Sequence, residues 1–336
     1  MPGQPLLKGL ALSFSQLSKL RIIIFAYQWH QFWERIVNFE TMPMIIIKKT
    51  GIVLVALFCS VYSFSQKVAA KVVLQQGEAI DIHVDLKTTV SQEAGGQAID
   101  FTADGTVNHS FHVTNATDNN STLHHDVKKI TFNFNGMGQK KSFDSDKKED
   151  LNGMFGKPVK EILSKSYDMI IDPSEKTLMA KPEKLEIAIA DDRLGIVFNL
   201  LKDITNVVYP PKKNEASFFK ILPATETGLN DSWTESGMDS TGMYKTTYTL
   251  TAITDSTIEA DIKGNASFAS KAQMMGMEAL TKMNSTYTGK MIIDKATGIL
   301  KEKTITTTSN GSTEAMGGTM PVTSKTTVVI RVSAAQ

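Results

Sequence analysis

The chain has 336 residues, with 36 Lys and Arg against 35 Asp and Glu, six histidines and a single cysteine. Six of the basic and two of the acidic side chains precede residue 66, so the remainder is mildly acidic and evenly mixed. That argues against a nucleic-acid partner, which needs a basic stripe. With Cys59 as its one cysteine the chain forms no internal disulfide, and its apolar core must hold it together.

Met44-Ile45-Ile46-Ile47 is followed by Lys48 and Lys49, an apolar run from Gly51 to Cys59, and Ser60-Val61-Tyr62-Ser63-Phe64-Ser65. This is the order of a secretory signal peptide, with cleavage expected between Ser65 and Gln66. The run is shorter than the about 20 residues a spanning helix needs. A retained anchor is the alternative. Phe58 stands where a lipoprotein signal needs a small residue before the cysteine, so lipidation at Cys59 is not expected. The reading is an exported protein, periplasmic or extracellular, not a lipoprotein, with no stable membrane span after signal removal. Residues 1–43 read as an upstream extension and 44–65 as the signal.

Past the signal, Ile80-Asp81-Ile82-His83-Val84-Asp85-Leu86-Lys87 alternates apolar and polar positions, the pattern of a half-buried antiparallel strand. Runs over Val107–Val113 and Leu123–Phe134 flank the turn-rich Asn115–Asn120. The apolar set moves from odd positions (Leu123, Val127) to even ones (Ile130, Phe132, Phe134), which predicts a bulge near Lys128 or Lys129. Asp144–Asp150 reads as a charged turn, and 140–166 as an insertion. Met169-Ile170-Ile171-Asp172 then opens a hairpin, and the same four residues recur as Met291-Ile292-Ile293-Asp294 before the turn closed by Gly298. The recurrence predicts a duplicated unit. Asp191 caps a predicted helix carrying Leu194, Val197, Leu200, Leu201 and Ile204. A short helix is expected over 215–221, stopped by Pro223. Strands over Tyr248–Ala252 and Ile258–Ile262, then Thr-rich strands at 303–309 and 322–332, complete the chain. The expected fold is α+β and β-dominated. It has two related curved antiparallel sheet units, a first β-rich repeat at 66–180 and a second at 225–336, joined by a helical connector at 181–224.

Chemistry-bearing motifs are few. His109 and His125 fall on apolar faces of neighbouring strands and could supply half a metal site, against the plainer reading of buried, hydrogen-bonded core histidines. Methionines crowd the second half, and Met274, Met275, Met277 and Met283 with Trp233 are candidate lining for a hydrophobic ligand. Thioether binding of Cu(I) and ordinary core filling are the alternatives. In the segment from Asp144 to Asp150, lysine at the fifth position and no glycine at the sixth exclude an EF-hand. Asp239-Ser240-Thr241 and Asp255-Ser256-Thr257 have the form of O-glycosylation acceptors at Ser240 and Ser256. No catalytic residue and no cofactor is read from the sequence.

Ser63-Phe64-Ser65-Gln66, Leu74-x-x-Gly77, the turn Phe143–Asp150, Leu222-Pro223, Asp231-Ser232-Trp233 and Ile293-Asp294-x-x-Thr297-Gly298 together resemble a family of uncharacterised exported bacterial proteins, a domain of unknown function. Asn230 departs from it, standing where such proteins place glycine. The family implies no activity and no functional residues. At the level of fold alone, long antiparallel strands with few helices are similar to LolA-like lipoprotein carriers, whose curved sheet encloses an apolar cavity. The function expected is non-catalytic binding of a lipid or other hydrophobic or amphipathic ligand. An interaction module contacting glycan or protein is the alternative, and an enzyme of unrecognised type comes third.

Overall fold

The computed structural model describes residues 67–334, apart from residues 70, 95–96, 137, 182–203, 210–211, 239–240, 275–276 and 316–317. The signal segment, its cleavage site at Ser65 and Gln66, most of the helix expected after Asp191, Ser240 and Met275 lie outside the described residues.

The strands are β1 (Lys67–Val68), β2 (Ala79–Ala94), β3 (Gln97–Ala116), β4 (Ser121–Gly136), β5 (Gln139–Asp144), β6 (Ser166–Ile171) and β7 (Thr177–Ala180) in the first half. The second half holds β8 (Thr227–Gly228), β9 (Ser232–Met238), β10 (Gly242–Ile253), β11 (Thr257–Met274), β12 (Met277–Asp294), β13 (Leu300–Ala315) and β14 (Gly318–Ala334). Two short helices, α1 (Lys148–Leu151) and α2 (Gly156–Ser164), sit in the predicted insertion between β4 and β6. Among the described residues one 12-stranded sheet runs β7-β6-β4-β3-β2-β14-β13-β12-β11-β10-β9, with β5 on β4, and β1 pairs with β8. Both halves therefore lie on one continuous sheet, joined where β14 pairs antiparallel with β2.

Alternation decides which face is buried. On β2, Ile80, Ile82, Val84 and Leu86 are buried while Asp81, His83 and Asp85 are not. The bulge lies where the change of parity places it, because Asn108 pairs with Lys129 and His109 with Val127, leaving Lys128 unopposed. One apolar cluster covers the inner face from β6 to β10 and includes Ile204, Val208, Phe219 and Leu222 of the connector. Of these connector residues, Val208 accepts at its carbonyl from Tyr167 Oη at 2.7 Å.

The helix expected over 215–221 does not form. Backbone groups that a helix would pair internally are taken by the first half instead. Thr177 N donates to Glu215 O at 2.9 Å, Asn214 N to Thr177 O at 2.7 Å, and Ser217 N to Glu175 O at 2.9 Å. The segment runs as irregular chain that drops Phe219 and Leu222 into the core, with Phe219 edge-on to Phe111 at 5.3 Å.

The two Met-Ile-Ile-Asp hairpins have matching geometry. Met169 and Ile171 are buried, as are Met291 and Ile293, with Ile170 and Ile292 half-buried between them. The strand register slips between Ile170 and Ile171 and again between Ile292 and Ile293. Asp172 Oδ1 accepts from Ser174 N, Ser174 Oγ and Lys176 N at 2.8, 2.8 and 3.0 Å. Asp294 Oδ1 accepts from Ala296 N, Thr297 N and Thr297 Oγ1 at 3.0, 2.9 and 3.0 Å. Further back, Thr117 Oγ1 caps Asn120 N and Thr254 Oγ1 caps Thr257 N. Earlier still, Gly77 N and Asn230 N donate to the carbonyls of Val113 and Leu250 at 2.9 and 2.8 Å. Gly77 has φ 87° and Asn230 φ 67°. This left-handed conformation favours glycine and admits asparagine best among the others, which accounts for Asn230 where glycine is expected.

Candidate functional site

The surface that could take a ligand is the inner face of β9–β13. Its rows are Trp233, Glu235 and Gly237 on β9, then Tyr244, Thr246, Tyr248 and Leu250 on β10. They continue through Ile258 to Phe268 at even positions on β11, Met283 to Ile293 at odd positions on β12, and Lys303 to Thr313 at odd positions on β13. Near the turns these rows are packed: Leu250, Ile258, Ala260, Met291 and Ile293 are buried. Towards the far end glycines alternate with large flat side chains. A Cβ on Gly264 would meet the Tyr287 ring at 2.4 Å, one on Gly237 the Tyr244 ring at 2.5 Å, and one on Gly311 the Met283 sulfur at 2.7 Å. Gly264 and Gly237 let a cross-strand tyrosine ring lie on the backbone, whereas a Cβ on Gly311 would first meet the Lys282 carbonyl at 1.9 Å. On this stretch Tyr244 and Phe268 remain 49% and 43% exposed.

Of the proposed lining residues, Trp233 is half-buried and stacks on Tyr248, with ring centroids 5.1 Å apart and planes 12° from parallel. Met283 is buried opposite Phe268. Met274 pairs with Met277 at the far hairpin, though both side chains, like Met275, lie outside the described ones. Trp233 stands level with Ile262 through Tyr248, and Met283 with Phe268, six residues or about 20 Å further along β11. The structure strings these residues along one face and does not gather them at a point.

Beside Trp233 lies a polar cluster that the sequence reading missed. Tyr248 Oη donates to Glu235 Oε2 at 3.1 Å, and Thr246 Oγ1 and Tyr287 Oη are 2.7 Å apart. The Lys303 amine lies 5.9 Å from the centroid of the Tyr248 ring. Burial pushes this ammonium below the usual lysine range, with the Glu235 carboxylate acting the other way. Its signal was the shared parity of Lys303 and Ile305, which puts a lysine in an otherwise inward-facing row.

His109 and His125 are brought together, diagonally across β3 and β4, with Nδ1 of the first 3.1 Å from Nε2 of the second. Both are buried, and His125 stacks on Tyr167 at 4.5 Å. Burial lowers His109 to about 4, with the Ile204 backbone opposing. Burial, then His109, lowers His125 to about 3. The shared hydrogen bond uses one nitrogen of each ring. Among the described residues no group of three His, Cys, Asp or Glu side chains is placed to hold a metal ion. In the charged loop, Lys129 pairs with Asp144 at 3.4 Å and with Asp146. Ser256 is exposed in its turn, where its N–H is capped by Thr254 Oγ1 at 3.2 Å.

The outer face of the same strands is polar. An open trough of about 1300 Å³ is lined by Thr247, Thr249, Thr286, Thr288, Thr304 and Thr306, among Lys and acidic side chains. Charges such as Asp261, Lys263, Lys290 and Glu302 line the same trough. Among the described residues no helix is long and apolar enough to cross a membrane.

Residues 212–300 match the profile of a family of unknown function (DUF6263). No curated protein matches the chain. Among solved structures, lipovitellin, described by its lipid–protein interactions, aligns at 11% identity and a TM-score of 0.41 over 78% of this chain and 26% of its own. The chain thus spans about a quarter of lipovitellin's length. An outer membrane channel from Pseudomonas putida F1 aligns at 8% identity and a TM-score of 0.23, over 80% of this chain and 100% of that one. OpdQ from Pseudomonas aeruginosa aligns at 6% and 0.25, over 78% and 100%.

Proposed function

We propose that this is an exported, non-catalytic binding protein that holds a hydrophobic or amphipathic ligand against the inner face of β9–β13. The observation that carries the reading is the change along that face. Near the turns the apolar rows are buried; further along, the same rows continue as a glycine-smoothed floor on which Tyr244 and Phe268 stay exposed. Aromatic surface left open beside a buried methionine, inside a sheet whose outer face is charged, is what an apolar ligand would cover. The matching turns support a further reading, that 66–180 and 225–336 are copies of one unit, the first carrying β5, α1 and α2 as an insertion.

Mass spectrometry of an organic extract of the natively expressed, purified protein tests the function. One class of amphiphile recovered in proportion to protein is expected. An empty extract, together with no binding of a fluorescent fatty acid, would overturn it. The outer trough favours a second reading, a module whose Thr rows hydrogen-bond a glycan or a protein surface. Binding on a glycan array with an empty extract would select it.

A further inference from the structure

Nine large apolar side chains stay exposed among the described residues, and four of them, Met238, Met243, Tyr244 and Phe268, meet at one corner of the sheet. Met238 pairs with Met243 across β9 and β10, and Gly242, beside Met243, pairs with Phe268 of β11. The four therefore lie within two strand spacings, about 10 Å. They do not share a face. Tyr244 and Phe268 stand on the inner one, whereas Met238 and Met243, 79% and 56% exposed, stand on the outer one with Thr247 and Thr249. Ala269 N donates to Thr241 O at 2.7 Å, which fixes the end of the β9–β10 hairpin against β11. Among the described residues β9 is the last strand of the sheet, so the corner is open along its edge as well. Charge avoids the same place. From Ser236 to Tyr244 the one charged residue is Asp239, and from Gly264 to Ser270 there is none. Neighbouring hairpins at this end close on uncharged pairs too, Met274↔Met277, Ala315↔Gly318 and Ala94↔Gln97. The turns at the opposite end carry Asp118, Asp172, Lys176, Asp255, Asp294 and Lys295.

We infer that this corner seats in the interface of a lipid bilayer, with Met238, Met243, Tyr244 and Phe268 entering beneath the head groups. A rigid partner, a second copy of this chain included, covers one face of a sheet. Apolar side chains on both faces of one corner are covered together by a medium that flows around it. The residue types suit that depth: methionine is flexible and polarizable, and tyrosine keeps its ring in the apolar layer with its hydroxyl among the head groups. Neither run holds a Lys or Arg, so the attraction is apolar and needs no anionic lipid. Lys245 and Lys271 follow just beyond, where long stems let their ammonium groups stay in water. The inference goes beyond the proposed ligand and stands without it, because a ligand on the inner face would leave Met238 and Met243 uncovered.

The test is methionine oxidation by hydrogen peroxide, read peptide by peptide by mass spectrometry on the natively expressed, purified protein, with and without phosphatidylcholine vesicles. Each event transfers one oxygen from the peroxide to a thioether sulfur and releases water, so it reports whether that side chain is accessible. Vesicles should slow oxidation of Met238 and Met243 several-fold, and should still do so at about 1 M salt, where Coulombic attraction is screened. Met154 and Met179, exposed elsewhere on the fold, should react as before. Met243→Glu, at an exposed position, should abolish the protection of Met238 and lower vesicle flotation, whereas Ser256→Glu, in an exposed turn at the other end of the sheet, should change neither. Equal oxidation with and without vesicles overturns the docking, as does protection that is lost at high salt. Protection that appears without lipid and rises with protein concentration assigns the corner to a second copy and overturns it too. None of these outcomes touches the ligand reading, which the organic extract and the fatty-acid probe decide.

Discussion

Two imidazoles facing each other within an apolar layer make the core sensitive to acid. Unfolded histidine titrates near 6.5, whereas burial holds His109 at about 4 and His125 at about 3. Between those limits the unfolded chain binds more protons than the folded one, so stability rises with pH across the window and is lost on acidification. From pH 7 to pH 5 each histidine should cost about 2 kcal/mol, read as a falling melting temperature. His125→Phe keeps a ring against Tyr167 and Phe111, so it should flatten that slope. The groups around the pair do not cancel the effect, since Lys128 and His124 push His125 down and only Asp126 raises it. A slope unchanged in His125→Phe would mean that the titrating groups lie elsewhere. Alternation alone placed these histidines on the inner face. Their mutual hydrogen bond depended on the register slip at Lys128, which the sequence also signals, through the change of parity after Val127.

The turns are the elements most tightly specified by their residues. In each Met-Ile-Ile-Asp hairpin one carboxylate organises the loop by accepting three hydrogen bonds, and those bonds hold Asp172 and Asp294 below the usual carboxylate range against the opposing effect of burial. Asp172→Ala and Asp294→Ala should each cost about 1–2 kcal/mol in denaturant unfolding, and by similar amounts. A large cost at one turn and none at the other would separate two loops that look alike and weaken the duplication reading. These hairpins were legible because Asp, Gly and Thr act through local bonds that a sequence pattern encodes. The segment 215–221 was not legible. Its Phe218, Phe219 and Ile221 fit a helical pattern, but the pairing partners of its backbone, Glu175 and Thr177, lie some forty residues earlier in the chain. The cluster at Lys303 was missed for a similar reason, because it joins side chains from strands β9, β10 and β13 whose adjacency only the folded sheet supplies.

At the scale of the whole described chain, the decisive contact is between its beginning and its end. β14 pairs with β13 on one side and with β2 on the other, from Val322↔Gln92 to Ala334↔Ile80. The irregular segment between β1 and β2 also ties the turns of both halves, because Val72 N donates to Glu175 Oε1 at 3.0 Å and Val73 N to Thr297 O at 2.8 Å. Two tandem units joined only by a linker would unfold in two steps, each with its own core. Here a single apolar cluster draws on strands of both halves and on the connector, so neither half keeps a complete core alone. Calorimetry should therefore show one unfolding transition. Removing residues 318–336 strips the partner from β2 and β13 together and opens two long edges in mid-sheet, which should leave an aggregating chain with no cooperative transition at all. If the truncated chain instead kept a sharp melt for residues 66–180, the first half would own its core, and the continuous sheet would be a docking of two finished domains.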